Sequence, residues 1–499
     1  MNTHDDGRRA LRFAMLATVL LSAVRITAAD RLGFGDAEAL YASYAFYPQA
    51  VYLDHPGLIG LFARAIGDGA PPSPEVAHRA TTLVAAVIPW LAALAARVLG
   101  ASTKGMAYAA LALMVTPVFA VGLFGMTPDL LLSFFWYASL GLAAAALLAK
   151  PGSFRALVAT LAAAACAGLA FDAKVSGALL ALGLLFAWIS PAGRAHWKTV
   201  APWAGIVVFG LIVSPVVLEE IERGFPMLRH RLVDTPHGGF SLRNLGALLG
   251  GQLLYLTPPI AICAVLLLRD LWKHRNDDAG SRLLFWTTVA CLPLVVLALY
   301  SKVAEPHWVT PLFLALPLHW ARRIDEPEQP FGRLAIRTSV VFGILATALV
   351  HLAVLTPLGP KLLGKRYVAK YDLSNDMHAW REALPLVERA LLEEVGSETP
   401  PIVVGPHWIV CAQLRAGLPR SVLVGCDGNQ PADFETWLPR STWEKAPTVL
   451  YVTDDRFQVE PTRSLPEHTI QSISRTGIRR GGIQVRRVAV YRLTRAGEG

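Results

Sequence analysis

The residues best suited to chemistry lie in a polar stretch that directly follows the first apolar segment of the chain. Residues 34–60, FGDAEALYASYAFYPQAVYLDHPGLIG, carry the carboxylates of Asp36, Glu38 and Asp54 and the imidazole of His55. A carboxylate can accept the proton of an attacking hydroxyl group. Ionisable groups this close to hydrocarbon-length segments are costly unless they have a function or lie in a hydrated cavity. We therefore predict that this stretch forms the acidic half of an active site at a membrane surface.

Further candidate residues follow later in the chain, each beside an apolar segment. Asp129 lies at the start of one such segment, Arg229 and Arg231 lie in a polar loop, and His307 precedes Trp308. Arginine and histidine can hold a departing phosphate and stabilise its growing negative charge. Acids and cations that meet at a lipid–water boundary suit transfer from a lipid phosphate.

The composition indicates a membrane protein with many spans. Of 499 residues, 54% are hydrophobic and 17% are charged, and the mean hydropathy is +0.44. A soluble domain usually carries about 25% charged residues. The net charge of +9 is first an orientation signal in such a protein, and nothing favours a nucleic-acid partner. We interpret Arg479, Arg480, Arg486 and Arg487 as the solvated face of a strand pair.

Eleven segments are candidate spans, because a helix needs roughly 20 apolar residues to cross a bilayer. They are the first segment, to about residue 28, and 80–96, 105–128, 130–149, 156–171, 175–193, 199–218, 244–268, 283–301, 306–321 and 338–360. A cleaved signal peptide is the alternative for the first. With a cytoplasmic N-terminus, every inside segment holds at least two basic residues, as the positive-inside rule requires. Loops 30–78 and 219–246 then lie outside.

The chain divides near residue 360. Residues 1–360 form the predicted transmembrane domain, in which 36–47 and 56–66 of the first outer loop predict short helices in the interface plane. Residues 361–499 predict a small extracytoplasmic α/β domain, with a helix over 376–395 and strands at 401–405, 421–425, 448–454 and 487–493. In an oxidising compartment, Cys411 and Cys426 of this domain could form a disulfide.

The order of several segments resembles glycosyltransferase family 39. GDAEALY, YLDHPGLIG, MTPDLLLSFFW, FDAKVSGALLAL, HRL and EPHWVTPLFLAL follow one another between about residues 10 and 325. The family contains GT-C-fold membrane enzymes, including protein O-mannosyltransferases and aminoarabinose transferases. The resemblance implies a cell-membrane (inner-membrane) enzyme that transfers a sugar from a polyprenyl-phosphate donor, with inversion, at the extracytoplasmic face. The acceptor would be a lipid, a glycan or a protein.

The resemblance also implies roles for individual residues. The family's adjacent Asp-Glu pair is replaced here by Asp36-Ala37-Glu38, so either acid could match the catalytic base. Asp36 is favoured because it lies nearest the end of the span. The family's phosphate-contacting arginine matches Arg231, or Arg229 if the register slips. The predicted substrate-binding residues are Asp54, His55, Asp129, Arg229, Arg231 and His307.

Structural roles and other functions compete with this interpretation. Acids near a helix start can cap it, interfacial arginines can bind lipid headgroups, and His307 beside Trp308 can anchor a short span. Asp36 and Glu38 could hold a divalent cation through their oxygens, and no other cofactor is indicated. The main alternative function is a transporter or lipid flippase. A transporter should show charges in mid-span and broken helices in repeated halves, whereas the charges here gather at one face.

Overall fold

The computed structural model describes residues 3–235, 239–302, 304–394, 400–428, 432–457 and 459–496. Residues 236–238 of the predicted outer loop 219–246, and residue 395 of the predicted helix 376–395, lie outside the described residues. The described chain contains a large helical part followed by a smaller part that combines helices with a sheet.

The helical part begins at the N-terminus and continues through α18. Its helices are α1 (Thr3–Ala29), α2 (Asp36–Ser43), α3 (Leu58–Ile66), α4 (Pro74–Val98), α5 (Thr103–Val115), α6 (Pro117–Ala120), α7 (Pro128–Leu148), α8 (Phe154–Ala173), α9 (Gly177–Ile189), α10 (Val200–Glu222), α11 (Pro226–Arg229), α12 (Leu242–Leu256), α13 (Pro258–Lys273), α14 (Ala279–Val289), α15 (Leu292–Tyr300), α16 (Leu316–Arg323), α17 (Arg333–Leu355) and α18 (Leu358–Leu363). A π-helical turn covers His230–Asp234, and a 3-10 helix covers Pro306–Phe313.

Within the described residues, seven helical segments are long and apolar enough to cross a membrane. Two further pairs, α5 with α6 and α12 with α13, pass the same test together but bend by 76° and 105°, which raises the count to nine. A proline begins the second helix of each pair, and proline lacks the N–H that would continue the helical ladder. The predicted count of eleven spans is therefore not confirmed, although the fold is that of a membrane protein with many spans.

Small residues allow the central helices to pack closely. A Cβ atom on Gly141 of α7 would lie 3.2 Å from the Cβ atom of Ala95 on α4. On its other side, α7 contacts α8, where the Ser139 hydroxyl donates to the Ala163 carbonyl at 2.9 Å. Such close backbone approach is the usual basis of helix packing where lipid surrounds the bundle.

Loops that the charge pattern assigns to one face do lie together. Lys104 and Ser102 contact Asp325 at 2.9 and 2.5 Å, and Arg322 contacts Asp278 at 2.6 Å. These residues come from three segments that are predicted to be cytoplasmic. The predicted outer loops meet at the other end, where Arg231 contacts Asp54. The choice of which end faces the cytoplasm stays a prediction.

The C-terminal part is a five-stranded mixed sheet with flanking helices. Its strands are β1 (Ile402–Gly405), β2 (Val424–Cys426), β3 (Thr448–Asp454), β4 (His468–Arg480) and β5 (Ile483–Arg495), and its helices are α19 (Ser374–Leu392), α20 (Trp408–Gly417), α21 (Phe434–Trp437), α22 (Arg440–Trp443) and α23 (Pro461–Ser464). The sheet order is β2-β1-β3-β5-β4, with β1 parallel to β2 and β3 and the remaining pairs antiparallel. The four predicted strands are present. The structure adds β4, whose mostly exposed and polar sequence gives little strand signal.

The interpretation of the arginine run as a solvated face is wrong for two of its members. Arg480 and Arg486 are 7% and 4% exposed. Arg480 donates to the carbonyls of Ala353, Val354 and Thr356 at the end of α17. The last carbonyls of a helix lack partners within the helix, so a buried guanidinium can satisfy several of them together.

The disulfide that Cys411 and Cys426 could form is not present in the structure. Both cysteines are buried free thiols. The Cys411 thiol instead donates to the Gly405 carbonyl, with the sulfur 3.4 Å from the oxygen.

The two short helices of the first outer loop form near the predicted positions, and the C-terminal part covers α2. The Ser43 hydroxyl of α2 contacts the Ala412 carbonyl of α20 at 3.3 Å. The Gln413 amide, also on α20, donates to the Phe34 carbonyl at 3.0 Å. The predicted active-site loop therefore lies between the membrane helices and the C-terminal sheet.

Candidate functional site

Arg231 and Asp54 form the centre of the candidate site. The Arg231 guanidinium donates to both the side chain and the carbonyl of Asp54, the latter at 2.9 and 3.1 Å. A guanidinium that holds a carboxylate and a carbonyl together has a fixed orientation. The structure thus joins the first and second predicted outer loops through one ion pair.

A second ion pair lies close to the first. The Lys174 ammonium, directly after α8, donates to both carboxylate oxygens of Asp129 at 2.9 Å. His307 lies within electrostatic reach of both pairs, because Lys174, Asp129 and Arg231 all act on its imidazole. Five separate segments therefore deliver Asp54, Asp129, Lys174, Arg231 and His307 to one place, which we name the charged cluster.

His55 and Tyr41 complete the surroundings of Asp54. The Tyr41 hydroxyl donates to Asp54 at 3.1 Å, and His55 Nε2 lies 3.3 Å from the same carboxylate oxygen. His55 is 6% exposed, and its Nδ1 has no hydrogen-bond partner among the described residues.

Burial and neighbouring charges set the protonation states in the first outer loop. Burial, together with the cations of Arg231 and Lys174, lowers the pKa of His55 to about 3, so the imidazole is neutral at neutral pH. Burial would raise the pKa of Asp54, but His55 and Arg231 lower it below its usual value, so this carboxyl is ionised. Burial and the Asp54 charge raise the pKa of Tyr41 well above its ordinary value.

A buried glutamate shapes the loop that carries Arg231. Glu220, at the end of α10 and 2% exposed, accepts the backbone N–H groups of Met227 and Leu228, each at 3.0 Å. These bonds turn the chain back after α10 and start α11. The π-helical turn that follows then places Arg231 beside Asp54, whereas the side chain of Arg229 is exposed. The structure therefore brings Arg231 into the cluster and leaves Arg229 outside it.

Asp36 is held by the C-terminal part and not by the charged cluster. Its Oδ2 accepts from Arg456 at 2.7 Å, and Arg456 also contacts Asp376 and Asp454 at 3.0 and 2.7 Å. Asp36 and Tyr41 are five residues apart on α2, so their side chains lie about 140° apart around the helix axis. Because Tyr41 faces Asp54, Asp36 points away from that carboxylate. Asp36 Oδ1 is buried and has no hydrogen-bond partner in the described part of the chain.

Glu38 is buried and fully engaged. One oxygen accepts from the Met126 N–H at 2.7 Å and contacts His78 Nε2 at 3.1 Å, and the other accepts from the Gly35 N–H at 2.9 Å. Burial would raise the pKa of Glu38, but His78 and the backbone donors lower it. Glu38 therefore fixes the turn that leads into α7, on which Asp129 lies three residues after Met126.

The described residues contain no group of three or more His, Cys, Asp and Glu side chains that could hold a metal ion. Asp36 and Glu38 bind separate partners, Arg456 for the first and His78 for the second. A divalent cation at these two acids stays a prediction.

An apolar cavity lies among the membrane helices, and no residue of the charged cluster lines it. Its volume is about 120 Å³, and Leu113, Phe119, Leu256, Phe313 and Trp320 are among its lining residues. The 3-10 helix Pro306–Phe313 connects His307 of the charged cluster with Phe313 of the cavity lining. The rise between these two residues is about 12 Å, since a 3-10 helix rises about 2 Å per residue.

Sequence reasoning missed several residues that shape the site. Lys174 follows an apolar span on the acidic face, which was an available signal, since a cation there can pair with Asp129. Arg456, Asp433 and Trp437 gave no such signal, because their contacts with the first outer loop join residues more than 370 positions apart.

Comparison with known proteins agrees with this architecture. A family profile described as dolichyl-phosphate-mannose-protein mannosyltransferase matches residues 70–218. No curated protein sequence matches significantly.

Two solved structures share the fold over nearly their whole length. They are ArnT from Cupriavidus metallidurans bound to undecaprenyl phosphate and the same protein in the apo state, each with a TM-score of 0.64. The sequence identities are 16% and 15%, and the matches cover 96% and 97% of this chain and 98% of ArnT. The S. cerevisiae Pmt1-Pmt2 complex bound to the sugar donor also matches, at 15% identity over 44% of this chain and 34% of that one. The TM-score of that match is 0.36.

The long apolar helices, the small C-terminal sheet and the ArnT-like arrangement of the whole chain therefore confirm the predicted resemblance to the GT-C membrane glycosyltransferases of the family 39 type.

Proposed function

We propose that this protein transfers a sugar from a polyprenyl-phosphate donor to an acceptor hydroxyl or amine at the extracytoplasmic membrane face, with inversion at the anomeric carbon. The observation that supports the proposal is the charged cluster, in which two carboxylates and two cations from separate segments meet. The cluster offers the cations of Lys174 and Arg231 for a phosphate. ArnT, which shares the fold, has been solved with undecaprenyl phosphate bound.

The two ion pairs suit the charge changes of such a transfer. In the reaction, the acceptor oxygen or nitrogen bonds to the anomeric carbon, and the bond from that carbon to the phosphate oxygen breaks. The leaving phosphate gains a negative charge, which Arg231 and Lys174 can stabilise through charge-assisted hydrogen bonds. Donor binding would draw these cations toward the phosphate and loosen their hold on Asp54 and Asp129.

Asp54 is the carboxylate that we propose as the proton acceptor. Its side chain is 30% exposed, so an acceptor could reach it, and Tyr41 and His55 fix its orientation. When the phosphate takes over Arg231, the basicity of Asp54 rises because an opposite charge has moved away. Asp36, which the sequence favours as the base, is kept as the alternative, and Glu38 is proposed to position the start of α7.

The test uses the purified full-length protein in nanodiscs with defined polyprenyl-phosphate sugars, and it measures release of the lipid phosphate. Asp54→Asn should slow release by about 10² to 10³-fold if it removes the base. Glu435→Gln, an exposed change on α21, is the control. If Asp36→Asn abolishes release while Asp54→Asn leaves it intact, the base is Asp36. If the wild type consumes no donor of any kind, the transferase proposal fails, and a transporter becomes the better hypothesis.

The domain division and the orientation belong to the same proposal. We propose residues 1–360 as the transferase domain and 361–499 as an extracytoplasmic domain, with the N-terminus in the cytoplasm. Reporter fusions after residue 29 and after residue 496 should both report the outer side. A cytoplasmic signal from either fusion would contradict this topology.

A further inference from the structure

A short segment of the C-terminal part contacts the loop that carries Asp54. Asp433, directly before α21, accepts the Leu53 N–H with both carboxylate oxygens, at 3.0 and 3.3 Å. Asp433 is 2% exposed, so this interaction is sealed from water. Because consecutive Cα atoms are about 3.8 Å apart, any movement of Leu53 is passed directly to Asp54.

Aromatic contacts add a second hold on the same loop. The Trp437 ring stacks on Tyr47, with centroids 4.4 Å apart and planes 9° apart. The same indole meets Tyr44 edge-on at 5.9 Å and Tyr52 at 6.5 Å, and Tyr44 stacks on Tyr52. Three tyrosines of the first outer loop, Tyr44, Tyr47 and Tyr52, thus pack around one tryptophan from the C-terminal part.

The membrane helices hold the opposite side of the loop. Glu219 of α10 accepts the Ala50 N–H at 2.8 Å, and Arg223, which follows α10, donates to the Val51 carbonyl at 3.0 Å. Loop 47–54 is therefore clamped between the end of α10 and α21. The two sides hold different backbone atoms, Ala50 N and Val51 O on one side and Leu53 N on the other.

We infer that α21 is a positioning element of the active site, in which Asp433 and Trp437 keep Asp54 and His55 in register with Arg231. The C-terminal part then has a direct effect on the chemical step and is not only a surface for the acceptor. The inference concerns the same site as the proposed transferase function. The expected effect on kcat rests on that function, whereas the clamping of loop 47–54 does not depend on it.

The kinetic test compares Asp433→Ala with Asp433→Asn, because asparagine keeps an oxygen that can accept the Leu53 N–H. Asp433→Ala should lower kcat for lipid-phosphate release by at least about tenfold, since small displacements of a reacting group are costly. Asp433→Asn should stay within about threefold of the wild type, because one acceptor remains. Trp437→Ala should resemble Asp433→Ala, and Trp437→Phe should recover most of the rate. Glu435→Gln, on the same helix but exposed, should leave kcat unchanged.

The structural test measures amide hydrogen exchange of peptides that cover loop 47–54 in the same full-length proteins. Asp433→Ala and Trp437→Ala should speed exchange there, whereas Asp433→Asn and Glu435→Gln should not. Unchanged exchange in both alanine variants, or equal loss of kcat in Asp433→Ala and Asp433→Asn, overturns the inference. If an alanine variant does not fold, Asp433→Asn and Trp437→Phe must still match the wild type in exchange and in kcat. If the wild type consumes no donor, the proposed function fails, while the exchange result still decides whether α21 clamps the loop.

Discussion

The carboxyl group of Asp433 should make the stability of this protein depend on pH. Burial, together with the nearby charge of Asp54, raises its pKa from 3.8 to about 6, although the Leu53 N–H and Arg223 act in the other direction. A carboxyl whose pKa is higher in the folded protein than in the unfolded chain favours folding while it is protonated. That contribution is complete below the unfolded pKa of 3.8 and is lost as the pH rises through about 6.

The expected size follows from the two pKa values. The difference between 3.8 and about 6 corresponds to about 3 kcal/mol over the full range. From about pH 4.5 to pH 7.5, where the unfolded carboxyl is already mostly ionised, the free energy of unfolding should fall by about 2 kcal/mol. Asp433→Asn removes the titrating carboxyl group but keeps an oxygen that accepts the Leu53 N–H. From about pH 4.5 to pH 7.5, the free energy of unfolding of the variant should therefore rise by about 2 kcal/mol relative to that of the wild type.

Thermal unfolding of both proteins in the same detergent, followed by intrinsic fluorescence, measures this difference. A gain of about 2 kcal/mol should appear as a shift of several degrees in the Tm difference between variant and wild type. Glu435→Gln, two residues away and exposed, should follow the wild-type curve at every pH. The reasoning is refuted if the Tm difference between Asp433→Asn and the wild type is constant with pH, or if it shrinks as the pH rises.

Three further predictions follow from the contacts of the candidate site and the sheet. Arg231→Gln should lower the rate of lipid-phosphate release by at least about tenfold, whereas Arg229→Gln should leave it unchanged. Equal losses in the two variants would show that Arg231 acts only through net charge. Glu38→Gln should lower the free energy of unfolding by about 1–3 kcal/mol because buried N–H donors lose a charged acceptor; loss of release at unchanged Tm would instead mark it as the base. In the wild type, the Arg486 guanidinium lies 2.6 Å from the buried Asp376 carboxylate. Arg486→Gln removes this cation and should lower the free energy of unfolding by on the order of 3 kcal/mol. An unchanged Tm would contradict this.

The general architecture could be predicted from the sequence because it depends on local patterns. Apolar runs of the right length predict spanning helices, and basic residues at alternate ends predict which loops share a face. The count of eleven is not confirmed, because two of the predicted runs do not form long helices. Run 175–193 holds the 13-residue α9, and run 306–321 divides into a 3-10 helix and the short α16. Hydropathy does not detect such a division, because it counts apolar residues and not the backbone geometry between them.

The candidate site could be predicted from the sequence only in part. The sequence indicated Asp54, His55, Asp129, Arg231 and His307 as site residues, since they are polar groups beside apolar spans, and the structure brings them together. It could not separate Arg231 from Arg229, because the π-helical turn that sets their directions depends on a buried glutamate at the end of the preceding helix.

The sequence by itself determined that this is a membrane protein with many helical spans, that its candidate site residues lie beside apolar spans on one predicted face, and that a mixed α/β part follows the last span. Those features come from composition and short-range periodicity. Only the tertiary structure decided that Asp36 binds Arg456 while Asp54 binds Arg231, and that Asp433 holds the loop between them. Ion pairs and buried hydrogen bonds depend on distances of a few ångströms between residues that are hundreds of positions apart, and local sequence carries no record of those distances.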